Sequence, residues 1–339
     1  MRIGINGFGR MGRLALRAGW GRAGLEFVAV NEPHGTSEAL ATILEFDSIH
    51  RRFAQPVEAR EDQLLVGGRP LRLTRQAAPS AIPWRELGVD CVLECSGKWK
   101  TKEKLLPHLA QGAQKIVVSA PVKDGTPNLV VGVNDQGVDF AAEPIVTAAS
   151  CTTNCLAPVL RVLHDGLGIV RASVTTIHDP TNTQRVLDAP HEDPRRARAT
   201  QLNLIPTSTG SATAVALILP ELAGKLHSLA VRAPVMNASL VDAVVQVQRP
   251  TTREEVNSLF ERAARTAPLQ GILGYETRPL VSSDFAGDPR SAIVDAGCTH
   301  VTDGVLLKVL AWYDNEWGYA NRLVDLLARY AAVLDTQRA

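Results

Sequence analysis

Cysteine is scarce in this chain, with five in 339 residues. That is too few for the disulfide framework of a small secreted scaffold, and no C-x-x-C pair offers the spacing of a zinc site. Cys151 and Cys155 stand one helical turn apart, too little on their own to hold a metal. No uninterrupted apolar run approaches the length of a membrane span. The net charge is +1, so there is no electrostatic case for nucleic acid, and no block of like charges is long enough to form a tail. Met1-Arg2-Ile3-Gly4-Ile5-Asn6 turns glycine-rich at once and carries no apolar targeting core. These lacks point to a reducing, cytoplasmic setting without metal, membrane or nucleic acid.

What is present is an ordinary globular composition, 45% apolar and 21% charged, over a length sufficient for two cores. Residues 2–6 read as a short buried strand, then comes Gly7-Phe8-Gly9-Arg10-Met11-Gly12, and residues 13–20 read as helix. A G-x-G-x-x-G run between strand and helix is the context of a dinucleotide site. Its first two glycines permit a tight turn and close approach to a pyrophosphate, and the third lets helix and strand pack. The next strand, 25–30, ends in Asn31-Glu32, where a carboxylate would hold an adenosine ribose and repel a 2′-phosphate. NAD is therefore expected over NADP.

Further strands are expected at 89–95, 115–119 and 129–133, with a helix at 101–111, and this alternation argues for a parallel, doubly wound sheet. Ser96-Gly97-Lys98 and Ser119-Ala120-Pro121 would then lie at its carboxyl edge, where such sheets hold ligands. Residues 55–73 read as an antiparallel excursion around Gly67-Gly68.

Beyond this half the texture changes. A strand-like run at 144–147 leads into Ala148-Ala149-Ser150-Cys151-Thr152-Thr153-Asn154-Cys155, and Leu156, Val159, Leu160, Val162 and Leu163 recur at helical spacing. Ser150 is the expected N-cap and Cys151 falls in the first turn, where free amides and the helix dipole favour a thiolate. A lone cysteine at a helix start is by itself a packing residue; the later residues change the odds. Strand 170–177 ends in His178, a candidate to hold the thiolate charge and move protons. A long polar stretch at 179–201 follows, with Thr181 and the densest basic cluster, Arg195, Arg196 and Arg198. Thr209 and Gly210 precede a helix at 211–219 whose start could hold an anion. Strands at 226–232, 238–248, 291–296 and 305–313, with a helix at 252–266, suggest a mainly antiparallel sheet, and a last helix covers 319–330.

The fold expected is thus an α/β Rossmann-type doubly wound parallel sheet plus an α+β catalytic domain with a mainly antiparallel sheet. The NAD-binding domain would span 1–150, joined by a C-terminal helix at about 317–339, and the catalytic domain 151–316. Beside a dinucleotide, a thiolate can add to an aldehyde. The hemithioacetal gives hydride to the nicotinamide and becomes a thioester, and the oxyanion needs donors such as the Cys151 amide and the His178 ring.

Five stretches together make the chain resemble the phosphorylating glyceraldehyde-3-phosphate dehydrogenases along nearly its whole length. They are Ile5-Asn6-Gly7-Phe8-Gly9-Arg10, Ala149-Ser150-Cys151-Thr152-Thr153-Asn154-Cys155, Asp188-Ala189-Pro190-His191, Arg195-Arg196-Ala197-Arg198, and Trp312-Tyr313-Asp314-Asn315-Glu316-Trp317-Gly318-Tyr319. The resemblance implies Cys151 as nucleophile and His178 as its activating partner. It implies Thr181 and Arg232 for the phosphate of glyceraldehyde 3-phosphate. Ser150, Thr152, Arg196, Thr209 and Gly210 would bind the attacking inorganic phosphate. For NAD it implies Asn6, Gly7, Phe8, Gly9, Arg10, Met11, Glu32, Ser96, Gly97, Ser119, Asn315 and Tyr319, and for the assembly a homotetramer.

Some residues depart from the family pattern. Glu32 replaces an aspartate, Thr213 a lysine, and Asp179-Pro180 and Asn182-Thr183 are not the usual residues after the histidine. These features are similar to a subgroup associated with arsenic-resistance operons, in which arsenate is the acceptor and 1-arseno-3-phosphoglycerate the product. Two alternatives accompany this reading: an erythrose-4-phosphate dehydrogenase, and a non-catalytic interaction protein with a disused site.

Overall fold

The structure, a computed structural model, describes residues 1–181 and 184–338, and the chain divides into two compact units. The first comprises Met1–Leu129, Gly137–Ala149 and the residues from Ala320 on; the second comprises Val130–Gln136 and Ser150–Tyr319.

The first unit begins β1 (Arg2–Asn6), α1 (Arg10–Gly19), β2 (Glu26–Asn31) and α2 (Ser37–Glu45). The small pair β3 (Phe46–Asp47) and β4 (Arg51–Arg52) follows, then β5 (Val57–Arg60), β6 (Gln63–Val66) and β7 (Arg69–Thr74). β8 (Cys91–Glu94), α3 (Lys102–Ala110), β9 (Lys115–Val118) and β10 (Ile145–Thr147) complete it up to the second unit. Its sheet runs β10-β9-β8-β1-β2-β7-β6-β5, parallel from β10 to β7 and antiparallel through the last two pairings. β8 and β9 are buried at every position, the pattern of parallel strands covered on both faces, which is why they read as near-continuous apolar runs. The excursion at 55–73 is realised as β5 to β7, with Gly67 and Gly68 in left-handed conformations (φ 54° and 77°) at the tight β6–β7 turn.

The strand expected at 129–133 does not form. The Val130 and Gly132 amides donate instead to the side chains of Asn134 (2.8 Å) and Asp135 (2.7 Å), and Gly132 adopts φ 84°. Short polar side chains here outcompete a ladder partner, and β10 supplies the edge strand. The first helix also starts three residues early, at Arg10, because the glycine turn is shorter than its sequence suggests.

The second unit contains α4 (Cys151–Leu167), β11 (Ile169–His178), β12 (Ile205–Thr207), α5 (Ser211–Ile218), β13 (Leu226–Arg232) and β14 (Ser239–Val247). α6 (Arg253–Arg265), β15 (Leu273–Glu276), β16 (Ala292–Asp295), β17 (His300–Thr302), β18 (Leu306–Tyr313) and α7 (Trp317–Arg338) follow. The sheet order is β12-β13-β11-β14-β18-β16-β15, with β17 on β18; only β11–β13 and β15–β16 are parallel. Burial alternates along β14, the signature of a sheet with two unlike faces.

From Ala320 on, α7 belongs to the first unit. There Tyr330 meets Phe140 edge-on (5.4 Å, 86°), lies under Lys115 Nζ (5.2 Å) and donates to the Glu143 carbonyl (3.0 Å). Among the described residues, no helix is long and apolar enough to cross a membrane.

Candidate active site

At the carboxyl edge of the parallel sheet, the three fingerprint glycines have separate jobs. Gly7 holds φ 91°, and a Cβ there would lie 2.5 Å from the Ser96 amide; a Cβ on Gly12 would lie 2.2 Å from the Gly7 carbonyl. Nothing lies within 4 Å of a Cβ built on Gly9, and α1 begins there without a side-chain cap. Open space before uncapped helical amides suits a pyrophosphate. The Arg10 guanidinium beside it pairs with Asp47. Burial pushes the Asp47 carboxyl up, but the His50 and Ile49 amides and Arg10 outweigh that and hold it at about 2.

Glu32 follows β2, its carboxylate fixed by the amides of Phe8 (2.8 Å) and His34 (3.1 Å). Buried Glu94 at the end of β8 is the hub beside it. Its carboxylate accepts from Asn6 (2.5 Å) and the Ser96 amide (2.7 Å), and its carbonyl from the Ser119 amide (2.9 Å). Trp84 Nε1 donates to His108 Nδ1 (2.9 Å), so Nε2 carries the proton it shares with Glu94 (3.1 Å). Asn6, Gly7, Phe8, Gly9, Arg10, Met11, Glu32, Ser96, Gly97 and Ser119 thus all belong to one edge, at or just after the ends of β1, β2, β8 and β9 or in the first turn of α1.

In the second unit Ser150 is the N-cap of α4, its Oγ accepting from the Thr153 amide (3.2 Å). Cys151 is the first helical residue, and its Sγ lies 3.6 Å from His178 Nε2. β11 delivers His178 at its last position, in register with Arg232 on β13. The ring stands edge-on to Tyr313 (6.0 Å, 81°), whose hydroxyl joins Thr152 (3.1 Å) to Thr176 (2.8 Å). Burial raises Tyr313 well above its ordinary value, so it serves as a neutral hydroxyl. Replacing Ser150 with alanine should cost about 1 kcal/mol of stability, read from the denaturant midpoint.

Burial pushes His178 down, but the adjacent Asp179 carboxylate and the Cys151 sulfur prevail and raise it to about 9. A raised histidine stabilises the fold most below its ordinary 6.5, and that contribution is lost as pH rises through about 9. The melting-temperature gap between wild type and His178→Asn should therefore narrow over that interval.

Two further cations stand by. Arg232 Nη1 donates to the Asp179 carbonyl (2.8 Å), and Arg196 Nε donates to Thr207 Oγ1 (2.9 Å). Burial lowers Arg232, and the Arg196 charge lowers it further, a mutual repulsion that a bound dianion would relieve. Thr209 Oγ1 meets Ser211 Oγ (2.6 Å) and Gly210 caps α5, which again lacks a side-chain cap. Thr181 is exposed on the loop after β11, and Thr213 is exposed on α5. Asn182 and Thr183 lie outside the described residues. Cys151 and Arg232 both meet His178, Thr152 is joined to that ring through Tyr313 and Asn315 through Asp179, with Ser150 the cap just before the cysteine, while Arg196, Thr209 and Gly210 come from the segments flanking β12. Tyr319 is buried in the first turn of α7.

Sequence reading missed Thr176, Ser239 and the Asp179 side chain as members of this cluster. Period-two alternation along β11 could have placed Thr176 on the face of His178, but Ser239 carried no signal.

A parallel sheet with a glycine-rich strand-to-helix turn in one unit and a helix-borne cysteine paired with a histidine in the other are the parts of an NAD-dependent dehydrogenase. Residues 1–102 match the NAD binding domain, and residues 150–315 the C-terminal domain, of glyceraldehyde 3-phosphate dehydrogenase. The chain is similar to glyceraldehyde-3-phosphate dehydrogenase 3 of Nostoc, with 57% identity over 98% of this chain and 99% of that one. It is 49% identical to the Pseudomonas aeruginosa enzyme (99% of each) and 46% identical to enzyme 2 of Bacillus subtilis (98% and 97%). The chain belongs to the glyceraldehyde-3-phosphate dehydrogenase family, and NAD is its cofactor.

Proposed function

We propose that this protein oxidises glyceraldehyde 3-phosphate and transfers the acyl group from Cys151 to an inorganic oxyanion, phosphate or arsenate. The observation that carries this reading is the Cys151–His178 contact, with the guanidinium of Arg232 on the same histidine. The Cys151 thiolate adds to the aldehyde carbon, and the resulting oxyanion takes hydrogen bonds from the His178 Nε2–H and an amide at the start of α4. His178 gives that proton to the oxyanion, forming the hemithioacetal hydroxyl, and takes it back as hydride leaves the carbon. NAD supplies the hydride acceptor for that step. Attack by the oxyanion on the thioester releases 1,3-bisphosphoglycerate or 1-arseno-3-phosphoglycerate and restores the thiolate.

In this reading Thr181 and Arg232 hold the substrate phosphate, and Ser150, Thr152, Arg196, Thr209 and Gly210 the attacking anion. Asn315 and Tyr319 serve the nicotinamide end of NAD; the fixed Glu32 carboxylate serves the ribose, and Gly9 with the first amides of α1 the pyrophosphate. A cytoplasmic homotetramer belongs to the same reading. The exposed apolar side chains Val186, Leu187, Leu202 and Leu204 around the 179–204 loop support burial against other copies, which sedimentation would check.

The deciding experiment follows NADH formation with glyceraldehyde 3-phosphate while phosphate and arsenate are titrated separately, and repeats it with erythrose 4-phosphate. Acyl arsenates hydrolyse and pull the reaction forward, so initial rates at low acceptor are compared. Equal half-saturation by both anions assigns the ordinary phosphorylating role; markedly tighter use of arsenate assigns the arsenylating one. Preference for the four-carbon aldehyde would overturn the substrate, and no reduction of NAD with any of them would overturn catalysis.

A further inference from the structure

β11 ends at His178, and the next residue, Asp179, is 2% exposed. Its amide donates to Ser239 Oγ (3.2 Å), the Ser239 hydroxyl donates to Asn315 Oδ1 (2.9 Å), and Asn315 Nδ2 donates to Asp179 Oδ2 (2.9 Å). This closed ring fixes which end of the Asn315 amide is oxygen and which is nitrogen, and leaves one Nδ2–H for a ligand acceptor.

The other carboxylate oxygen, Oδ1, lies 2.8 Å from His178 Nδ1, yet off the line of a hydrogen bond, so it is buried without a donor of its own. A protonated Nδ1 donates to the Asp179 carbonyl (2.8 Å), which also accepts from Arg232 Nη1 (2.8 Å). The same Nη1 lies 2.7 Å from Nδ1, where an unprotonated ring nitrogen would accept its hydrogen bond instead. The groups facing the ring are therefore the Cys151 sulfur from α4, Arg232 from β13, Tyr313 from β18 and Asp179 beside it. A permanent cation this close would expel the ring proton unless an anion balanced it, and a buried carboxylate is itself costly without a cation. Each answers the need of the other.

We propose that Asp179 is a positioning residue that makes the Cys151–His178 pair a triad: its carboxylate keeps His178 an imidazolium aimed at the sulfur and orients Asn315 for the nicotinamide carboxamide. The inference rests on the proposed roles of Cys151, His178 and Asn315, and it can be tested without turnover. Iodoacetamide alkylation of Cys151 is followed against pH in the cofactor-free wild type, Asp179→Asn and Asp179→Ala. The wild-type profile should show an upper step near pH 9, from loss of the imidazolium proton. In both variants that step should fall by about one pH unit or more, the effect of removing an opposite charge at contact distance.

Steady-state kinetics supply the second readout. Asp179→Asn retains an oxygen for Asn315 Nδ2 and should leave the KM for NAD near wild type, whereas Asp179→Ala should raise it several-fold. An upper step unmoved in both variants would overturn the proposal even if melting temperature drops, since a purely structural residue lowers stability alone. An unchanged KM for NAD in Asp179→Ala would overturn the Asn315 part. A wild type that alkylates with the expected profile but reduces no NAD would refute the proposed reaction and leave the triad standing.

Discussion

Cys151→Ala should reduce NADH formation by about 10⁴-fold or more, because the covalent route vanishes along with the sulfur. Binding of NAD should survive, since the glycine turn, Glu32 and the Glu94 hub belong to the other unit. His178→Asn should cost about 10²–10⁴-fold, the range for losing a positioned acid–base group. The double variant should be scarcely slower than Cys151→Ala, because two residues serving one step fail together. Steady-state rates and a fluorescence titration with NAD check all three. A Cys151→Ala protein within tenfold of wild type would contradict the whole scheme.

Trp84→Ala should remove about 3–5 kcal/mol of stability, the range for deleting a fully enclosed large aromatic ring. Trp84 is 0% exposed and packs with Val92, Leu105 and Ile116; a Cβ on Gly4 would come within 2.5 Å of its ring. The same change strips His108 Nδ1 of its donor, and that histidine supports the Glu94 carboxylate to which Asn6 and Ser96 are tied. NAD affinity should therefore fall along with the denaturant midpoint. Trp84→Phe separates the two effects: it keeps most of the volume and loses the hydrogen bond, a cost of about 1–3 kcal/mol. An alanine variant as stable as wild type would show that the surrounding side chains collapse into the space.

Much of this was legible in the chain. Continuous apolar runs gave β1, β8 and β9 because a parallel sheet covered on both faces tolerates no polar alternate. Ser150 was legible as a cap because its side chain does a local job. The missing strand at 129–133 shows the opposite case: its apolar residues matched a strand, but Asn134 and Asp135 took the amides. α2, β12 and β15 carried patterns too short to read, and they exist because longer neighbours offer them a surface. Cys151 and His178 could be singled out from motif and resemblance, and the structure brings them into contact. The Ser239–Asn315–Asp179 ring could not, since its members stand 60 and 136 positions from Asp179 and only the fold closes the distance.

The path of α7 bears on how the protein is made. Translation completes β1 to β10 first, and amino-terminal domains commonly fold while the rest is still being synthesised. Here the ring that covers Phe140 and Lys115 is Tyr330, and Arg22 waits for Asp325 (2.8 Å). The first core to be synthesised is thus the last to be closed, and a ribosome stalled before α7 would hold a nucleotide-binding sheet with one flank bare. Nascent chains should accordingly stay sensitive to protease in their first half until the final helix emerges.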